Sequence, residues 1–144
     1  MVDIFVDANI FLDVMRLRQG WQASARILDQ VNKGQISGFV SSLTVTTLFY
    51  ELKKNLSREG ASEELRKALK EFQIAELAKG DLQTILSDER IGDFEDRVQF
   101  YSTKRVCNVM VTRNKDDYKQ VASEMEVLAP EEFLRSQSSQ SSLP

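Results

Sequence analysis

Acidic residues occur in four segments of the sequence, each near the end of a predicted strand or the start of a predicted helix. The segments cover residues 6–9, 49–52, 92–96 and 112–118, and the acids of interest in them are Asp7, Glu51, Asp93, Asp96, Asp116 and Asp117. An acid that directly follows a buried strand is costly unless it is paired or bound to a metal, which favours a functional role for Asp7. Such carboxylates, if they converge, bind hard divalent cations through oxygen.

The composition excludes several other kinds of catalytic site. The 144-residue chain contains no histidine and one cysteine, Cys107, so Ser-His-Asp and Cys-His triads and the usual zinc ligand sets are missing. Any metal bound here would be a hard cation with oxygen ligands. The net charge of −3 means that a nucleic-acid substrate would need a local basic rim and metal ions to offset the acids.

Alternating strand and helix signals indicate the elements that position these acids. Apolar runs predict strands at residues 2–6, 35–40, 72–76, 106–111 and 125–128, with a polar loop at 112–118. Helical spacing and capping residues predict helices from Trp21 to about Gly34, after Ser41 or Ser42, from Ser62, at 81–86, from Gly92-Asp93 and at 131–135. This alternation favours a three-layer α/β/α fold with a mostly parallel sheet, whose ligands lie beyond the carboxyl ends of the strands. Asp7 and Asp117 follow two strands at that end.

The chain length and composition predict one folded domain, residues 1–135. The Ser- and Gln-rich residues 136–144 have too little apolar surface to fold, so we expect a disordered tail. No stretch approaches the roughly 20 apolar residues that cross a bilayer, and acids occupy the first residues where a secretory signal would be basic. We therefore expect a cytosolic protein without a membrane segment.

The order of four motifs resembles that of a PIN domain. The motifs are Val-Asp-Ala-Asn-Ile from Val6, Ser-Ser-Leu-Thr from Ser41, Asp-Phe-Glu-Asp from Asp93 and Val-Thr-Arg-Asn-Lys-Asp-Asp-Tyr from Val111. They are similar to the small bacterial branch that includes toxins of type II toxin–antitoxin pairs, over residues 2–133. The resemblance implies cleavage of RNA by three or four acids that hold one or two Mg²⁺ or Mn²⁺ ions.

The resemblance also implies roles for individual residues. Asp7, Asp96 and Asp117 match catalytic acids that ligate the metal, and Asn9, Thr112 and Asn114 match the polar residues that support them. The second acid of the family aligns with Thr47, which is a poor ligand. Glu51, one helical turn further on, could reach the same cavity, and Asp93, three residues before Asp96, is another substitute.

Basic residues in the same segments, Arg97, Arg113 and Lys115, could contact RNA phosphates, or they could lie on ordinary solvated surfaces. The resemblance further implies a homodimer and, for a toxin, an antitoxin protein that holds it inactive.

Other interpretations of the acids stay open. Taken singly, Asp93 is better explained as a helix N-cap and Glu51 as a solvated helix residue. Asp117 taken singly fits a turn residue as well as a functional one. A PIN fold that binds RNA or protein without cutting would explain Thr47. A phosphatase of the haloacid-dehalogenase type also has an aspartate after its first strand, but Asn9 and Phe11 depart from its motif.

Overall fold

The computed structural model of the protein describes residues 1–141, in which five strands form one sheet. The strands are β1 (Asp3–Val6), β2 (Ser37–Ser41), β3 (Phe72–Ala75), β4 (Val109–Val111) and β5 (Glu126–Leu128). Every pairing between them is parallel, and their order across the sheet is β3-β2-β1-β4-β5. The central strand is therefore β1, which carries Asp7 at its carboxyl end.

Seven α-helices connect and cover the strands in this part of the chain. They are α1 (Ala8–Arg16), α2 (Trp21–Asn32), α3 (Ser42–Lys53), α4 (Arg58–Leu69), α5 (Leu82–Ser87), α6 (Phe94–Val106) and α7 (Pro130–Ser141). Short 3-10 helices cover Lys79–Asp81 and Lys115–Val121. Hydroxyl or carboxylate side chains cap four helices, because Asp7, Ser41, Ser57 and Asp93 accept hydrogen bonds from the first-turn amides of α1, α3, α4 and α6.

Alternate residues of the strands point to opposite faces of the sheet, and each face has its own core. Ile4 and Val6 of β1 pack in a cluster with residues of α1, α2, α3 and α7. Phe5 of β1 lies in the other cluster, with Phe100 of α6 and Tyr118. Because a buried sheet is covered by helices on both faces, the prediction of a three-layer α/β/α fold with a parallel sheet is confirmed.

Several predicted boundaries differ from the structure. Helix α4 begins at Arg58 rather than Ser62, because the side chain of Ser57 accepts a hydrogen bond from Gly60 N at 3.0 Å and caps it earlier. The strand predicted from residue 106 begins only at Val109, since α6 continues through Val106. The predicted loop 112–118 contains the start of the second 3-10 helix.

The C-terminal helix is longer than predicted. Helix α7 ends at Ser141 rather than at residue 135, so the structure differs from the predicted disordered tail over residues 136–141. Ser136 and Ser138 donate hydrogen bonds to the carbonyls of Phe133 and Leu134, which satisfies their hydroxyls within the helix. Residues 142–144 of the predicted tail lie outside the described residues. None of the helices in residues 1–141 is long and apolar enough to cross a membrane.

Candidate active site

Asp7 lies at the carboxyl end of β1 and is also the N-cap of α1. Its Oδ1 accepts a hydrogen bond from Ala8 N at 2.7 Å, and its Oδ2 accepts from Thr112 Oγ1 at 2.7 Å and from Asn9 Nδ2 at 3.2 Å. Gln99 Nε2 lies 3.4 Å from Oδ1. Burial raises the pKa of the Asp7 carboxyl, an effect that these hydrogen bonds reduce without cancelling. Hydrogen bonds to both carboxylate oxygens thus fix the orientation of the Asp7 side chain.

The segment after β4 is tied to the segment after β1 by polar contacts. Thr112 Oγ1, besides its bond to Asp7, accepts a hydrogen bond from Asn114 N at 3.1 Å. Asn9 Oδ1 accepts a hydrogen bond from Arg113 N at 3.2 Å. These are the polar residues predicted to support the acids, and the structure places all three, Asn9, Thr112 and Asn114, around Asp7 or its hydrogen-bond partner.

Asp96 lies in the first turn of α6. Its Oδ1 accepts a hydrogen bond from Tyr118 Oη at 3.3 Å. Burial raises the pKa of the Asp96 carboxyl to about 6, and the charges of Asp93, Asp117 and Asp7 raise it in the same direction. The three predicted ligands are therefore close enough for their charges to interact.

The three predicted ligands line two neighbouring pockets. A pocket of about 220 Å³ is lined by polar residues of four segments, with apolar walls from Leu12 and Leu43. The polar residues are Asp7, Asn9, Thr44, Thr47, Glu95, Asp96, Gln99 and Asn114, and of the three acids Glu95 is exposed to solvent. Asp117 lines a second pocket, of about 420 Å³, together with Arg113, Lys115 and Asp116. Asn114 lines both pockets. The structure thus brings Asp7 and Asp96 together in one pocket and places Asp117 in the adjacent pocket.

Acids supply only part of the ligands that the first pocket offers to a hard cation. Among residues 1–141, no three His, Cys, Asp or Glu side chains lie close enough together to hold a metal ion. Asp7 and Asp96, with neutral amide or hydroxyl oxygens, remain beside the exposed Glu95, and Mg²⁺ is commonly held by one or two carboxylates while it keeps several waters. The residues present fit Mg²⁺ or Mn²⁺ as a two-carboxylate site.

Glu51 does not line this pocket. Both of its carboxylate oxygens are engaged by Arg16, with Nε to Oε1 at 2.8 Å and Nη2 to Oε2 at 2.6 Å, and Lys54 Nζ lies 2.9 Å from Oε2. The hydrogen bonds from Arg16 and then Lys54 lower the pKa of Glu51 to about 2. Thr47, one turn earlier on α3, lines the pocket instead. Asp93 caps α6 and accepts a hydrogen bond from Asp96 N at 3.1 Å.

The cations predicted to bind substrate already have partners. The guanidinium of Arg97 donates to the backbone carbonyls of Ile91, at 2.7 Å, and of Ile85 and Leu86, at 3.3 Å each. Lys115 Nζ lies 2.7 and 2.9 Å from the carboxylate oxygens of Glu132. Arg97 therefore joins α5 to α6, whereas Lys115 lines the second pocket as one half of an ion pair.

Arg113 does not line the first pocket, and its guanidinium lies in a partly buried network. Its guanidinium donates to Asp13 Oδ2 at 2.8 Å, to the carboxylate of Glu131 and to the carbonyl of Gly20 at 2.8 Å. Gly20 has a positive φ of 85°, and a Cβ there would lie 2.8 Å from Arg113 Nη2. Asp13 is only 3% exposed and also pairs with Arg18 at 3.0 Å.

Sequence reasoning missed two residues of this region, Gln99 and Asp13. Gln99 lies three residues after Asp96 and so on the same side of α6, a spacing that could have identified it. Asp13, on α1, showed no comparable signal, because its partners Arg18, Ser24 and Arg113 come from separate segments.

Comparisons with known proteins bear on the family and the fold of the chain. The sequence model of the PIN domain matches residues 3–116 of the chain, a range that includes Asp7 and Asp96 and ends one residue before Asp117. The fold is similar to that in the crystal structure of VapBC2 from Rickettsia felis bound to a DNA fragment from their promoter, with a TM-score of 0.64 and 18% identity over 89% of this chain and 98% of that chain. It is also similar to VapBC-1 from nontypeable Haemophilus influenzae, with a TM-score of 0.63 and 12% identity over 90% of this chain and 99% of that chain. No curated protein matches the chain significantly.

Proposed function

This chain belongs to the PIN domain family, and we propose that it is an endoribonuclease that cuts RNA phosphodiester bonds with Mg²⁺ or Mn²⁺ held by Asp7 and Asp96. The observation that carries the proposal is the meeting of these two carboxylates in one pocket at the carboxyl end of the central strand. A bound ion would supply an activated water and offset charge at the phosphate. The absence of histidine leaves carboxylates as the groups available for this role.

The residues around the acids have defined tasks in this proposal. Thr112 and Asn9 orient the Asp7 carboxylate through hydrogen bonds to Oδ2, while Tyr118 orients Asp96 through Oδ1. Fixed ligands reduce the reorganisation needed when the phosphate binds. Asn114 lines both pockets, so its amide is suited to contact the RNA chain where it passes from one to the other.

Asp117 and Lys115 belong to the second pocket and are proposed to act on the adjoining nucleotide. Asp117 lines it, and in the family resemblance it is the last ligating acid. The Lys115 side chain is 42% exposed despite its pairing with Glu132, so an RNA phosphate can compete for the ammonium. This leaves Lys115 as the predicted cation best placed for substrate contact.

The proposal extends to the biological role and the protein partners of the chain. The chain resembles small bacterial toxins of the family, and its fold is similar to two VapBC structures. We therefore infer a cytosolic toxin that forms a homodimer and is held inactive by an antitoxin protein.

The test is RNA cleavage by the purified full chain with Mn²⁺, with Mg²⁺ and with excess EDTA. We expect cleavage with either metal, none with EDTA, and none in the variant Asp96→Asn. Hydrolysis of a phosphomonoester by the wild type, with RNA left intact, would instead support the haloacid-dehalogenase-type phosphatase.

A second candidate function is a PIN-fold module that binds RNA or protein without cutting. The observation that favours it is the lack, among the described residues, of three acids around one centre. RNA binding that is unaffected by metal, with no cleavage under any condition, would support this module and exclude the nuclease.

A further inference from the structure

Gln99 has an unusual environment for a polar side chain. It lies on α6 one turn after Asp96, lines the first pocket and is only 6% exposed. Its amide nitrogen lies 3.4 Å from Asp7 Oδ1, while its amide oxygen Oε1 is buried without a hydrogen-bond partner. Buried polar atoms are nearly always paired, so an unpartnered acceptor indicates a missing donor or cation.

The surroundings of this oxygen favour a cation. Asp7 and Asp96, the two acids of this pocket that are not exposed, repel each other, and a neutral hydrogen-bond donor would satisfy Oε1 without offsetting their charge. Amide oxygens are ordinary ligands of hard divalent cations. Since no three acids of the described chain form a metal cluster, a cation between these carboxylates needs neutral oxygens to complete its ligands.

We propose that Gln99 is a metal ligand of this chain, whose amide oxygen acts with Asp7 and Asp96 on the divalent cation. The inference rests on the proposed function, because it assumes that Asp7 and Asp96 bind a metal. It adds a ligand that is neutral, so Gln99 contributes an oxygen to the cation without adding negative charge that would repel the RNA phosphate.

The experiment is a titration of the full chain with Mn²⁺ alone, followed by electron paramagnetic resonance of the free ion, without RNA. Gln99→Met removes the amide at similar size, and we expect it to weaken Mn²⁺ binding about 10-fold or more. Gln99→Glu puts a carboxylate in the same place, and we expect it to tighten binding about 10-fold. Gln120→Met, at an exposed position, is the matched control and should bind as the wild type does.

Gln99→Glu separates a ligand from a residue that only orients Asp7. If Gln99 merely donated its hydrogen bond to Asp7, the glutamate would repel Asp7 and weaken Mn²⁺ binding, which would overturn the inference. Binding by Gln99→Met at wild-type affinity would also overturn it. If Gln99→Met does not fold, as judged by thermal melting, the result with Gln99→Glu decides.

Two further outcomes distinguish this inference from the proposed function. Mn²⁺ binding that is lost in Asp96→Asn but unchanged in both Gln99 variants would exclude Gln99 as a ligand. That result would not contradict the proposed nuclease function. A wild-type chain that binds no Mn²⁺ would overturn both.

Discussion

The hydroxyl of Thr112 donates a hydrogen bond of 2.7 Å to Oδ2 of Asp7, although 105 residues separate the two along the chain. Asp7 follows β1 and Thr112 follows β4, and these strands are neighbours in the parallel sheet. The bond therefore links the carboxyl ends of two adjacent strands and fixes Asp7 against the segment that follows β4. Its position at this edge is where parallel sheets bind ligands.

Asp7→Asn should abolish cleavage and preserve the fold. An amide is a weaker ligand than a carboxylate, so we expect RNA cleavage to fall at least about 100-fold. Burial already disfavours the Asp7 charge, so a neutral side chain of the same shape should change the melting temperature by no more than about 3 °C. Cleavage and thermal melting are measured on the same preparation. A much larger drop in melting temperature would show that Asp7 is mainly structural.

Asp96→Asn should stabilise the protein at neutral pH when no divalent cation is present. The folded pKa of Asp96 is about 6, above its ordinary value of 3.8, so the folded state holds this proton more tightly than the unfolded chain does. The free energy of unfolding of the wild type therefore falls as pH rises from about 4 to about 6 and loses nothing more above that. We expect the variant to melt on the order of 2 °C higher at pH 7.5 and at the same temperature near pH 4.

The control for this pH dependence is Glu89→Gln, an exposed acid outside the pocket lining. It should melt like the wild type at both pH values. An Asp96→Asn variant that is less stable than the wild type at pH 7.5 would contradict the inference that crowded carboxylates destabilise the folded protein.

Thr47→Glu should increase metal affinity, because it adds a carboxylate to the wall of the pocket that Asp7 and Asp96 line. Ligand charge tunes the affinity of oxygen sites, and we expect Mn²⁺ to bind about 10-fold more tightly, as measured by calorimetry. Glu51→Gln is the comparison variant on the same helix, and its partners Arg16 and Lys54 indicate no change in cleavage. Reduced cleavage in Glu51→Gln would restore Glu51 as the second ligand, as the sequence predicted.

Asp13→Asn should destabilise the fold strongly. Asp13 is buried between Arg113 and Arg18, whose side chains are 25% and 38% exposed, so the substitution removes charge-assisted hydrogen bonds without burying an unpaired charge and costs about 1.5–3 kcal/mol. Chemical denaturation measures this loss. Asp29→Asn breaks the exposed ion pair with Lys33 and should cost about 1 kcal/mol or less. Equal effects of the two substitutions would show that the buried network contributes little.

Arg97→Met should loosen α5 without weakening RNA binding. Arg97 donates to three carbonyls before α6, so its loss leaves them without these hydrogen bonds. We expect faster amide hydrogen exchange in residues 82–91 and an unchanged dissociation constant for RNA. A weaker RNA complex with unchanged exchange would support the substrate contact that the sequence suggested.

The sheet and its central acid could be predicted because their signals are local. A continuous apolar run identified β1, and the acid after it, Asp7, lies where a parallel sheet binds ligands. The meeting of Asp7 with Asp96 followed from the order of the motifs. Helix ends were less certain, since Ser57, Ser62 and Gly92 are all acceptable near a helix start and only tertiary packing selects among them.

The remaining features depend on partners from distant segments. Arg16 and Glu51 are 35 residues apart, and nothing in either segment shows that α1 places a guanidinium beside α3. Gln99 resembles any polar residue of a helix surface until its burial is known. The position of Asp117 in a separate pocket likewise follows from the 3-10 helix, where the sequence indicated a loop.

Successive residues after β4 face opposite parts of the molecule: Thr112 contacts Asp7, while Arg113 binds Asp13 and also Glu131 of α7. Detachment of α7 from the sheet would free one end of Arg113 and disturb the neighbouring peptide that holds the acid in place. Heat should therefore abolish the proposed RNA cleavage at a lower temperature than the one at which the strands separate.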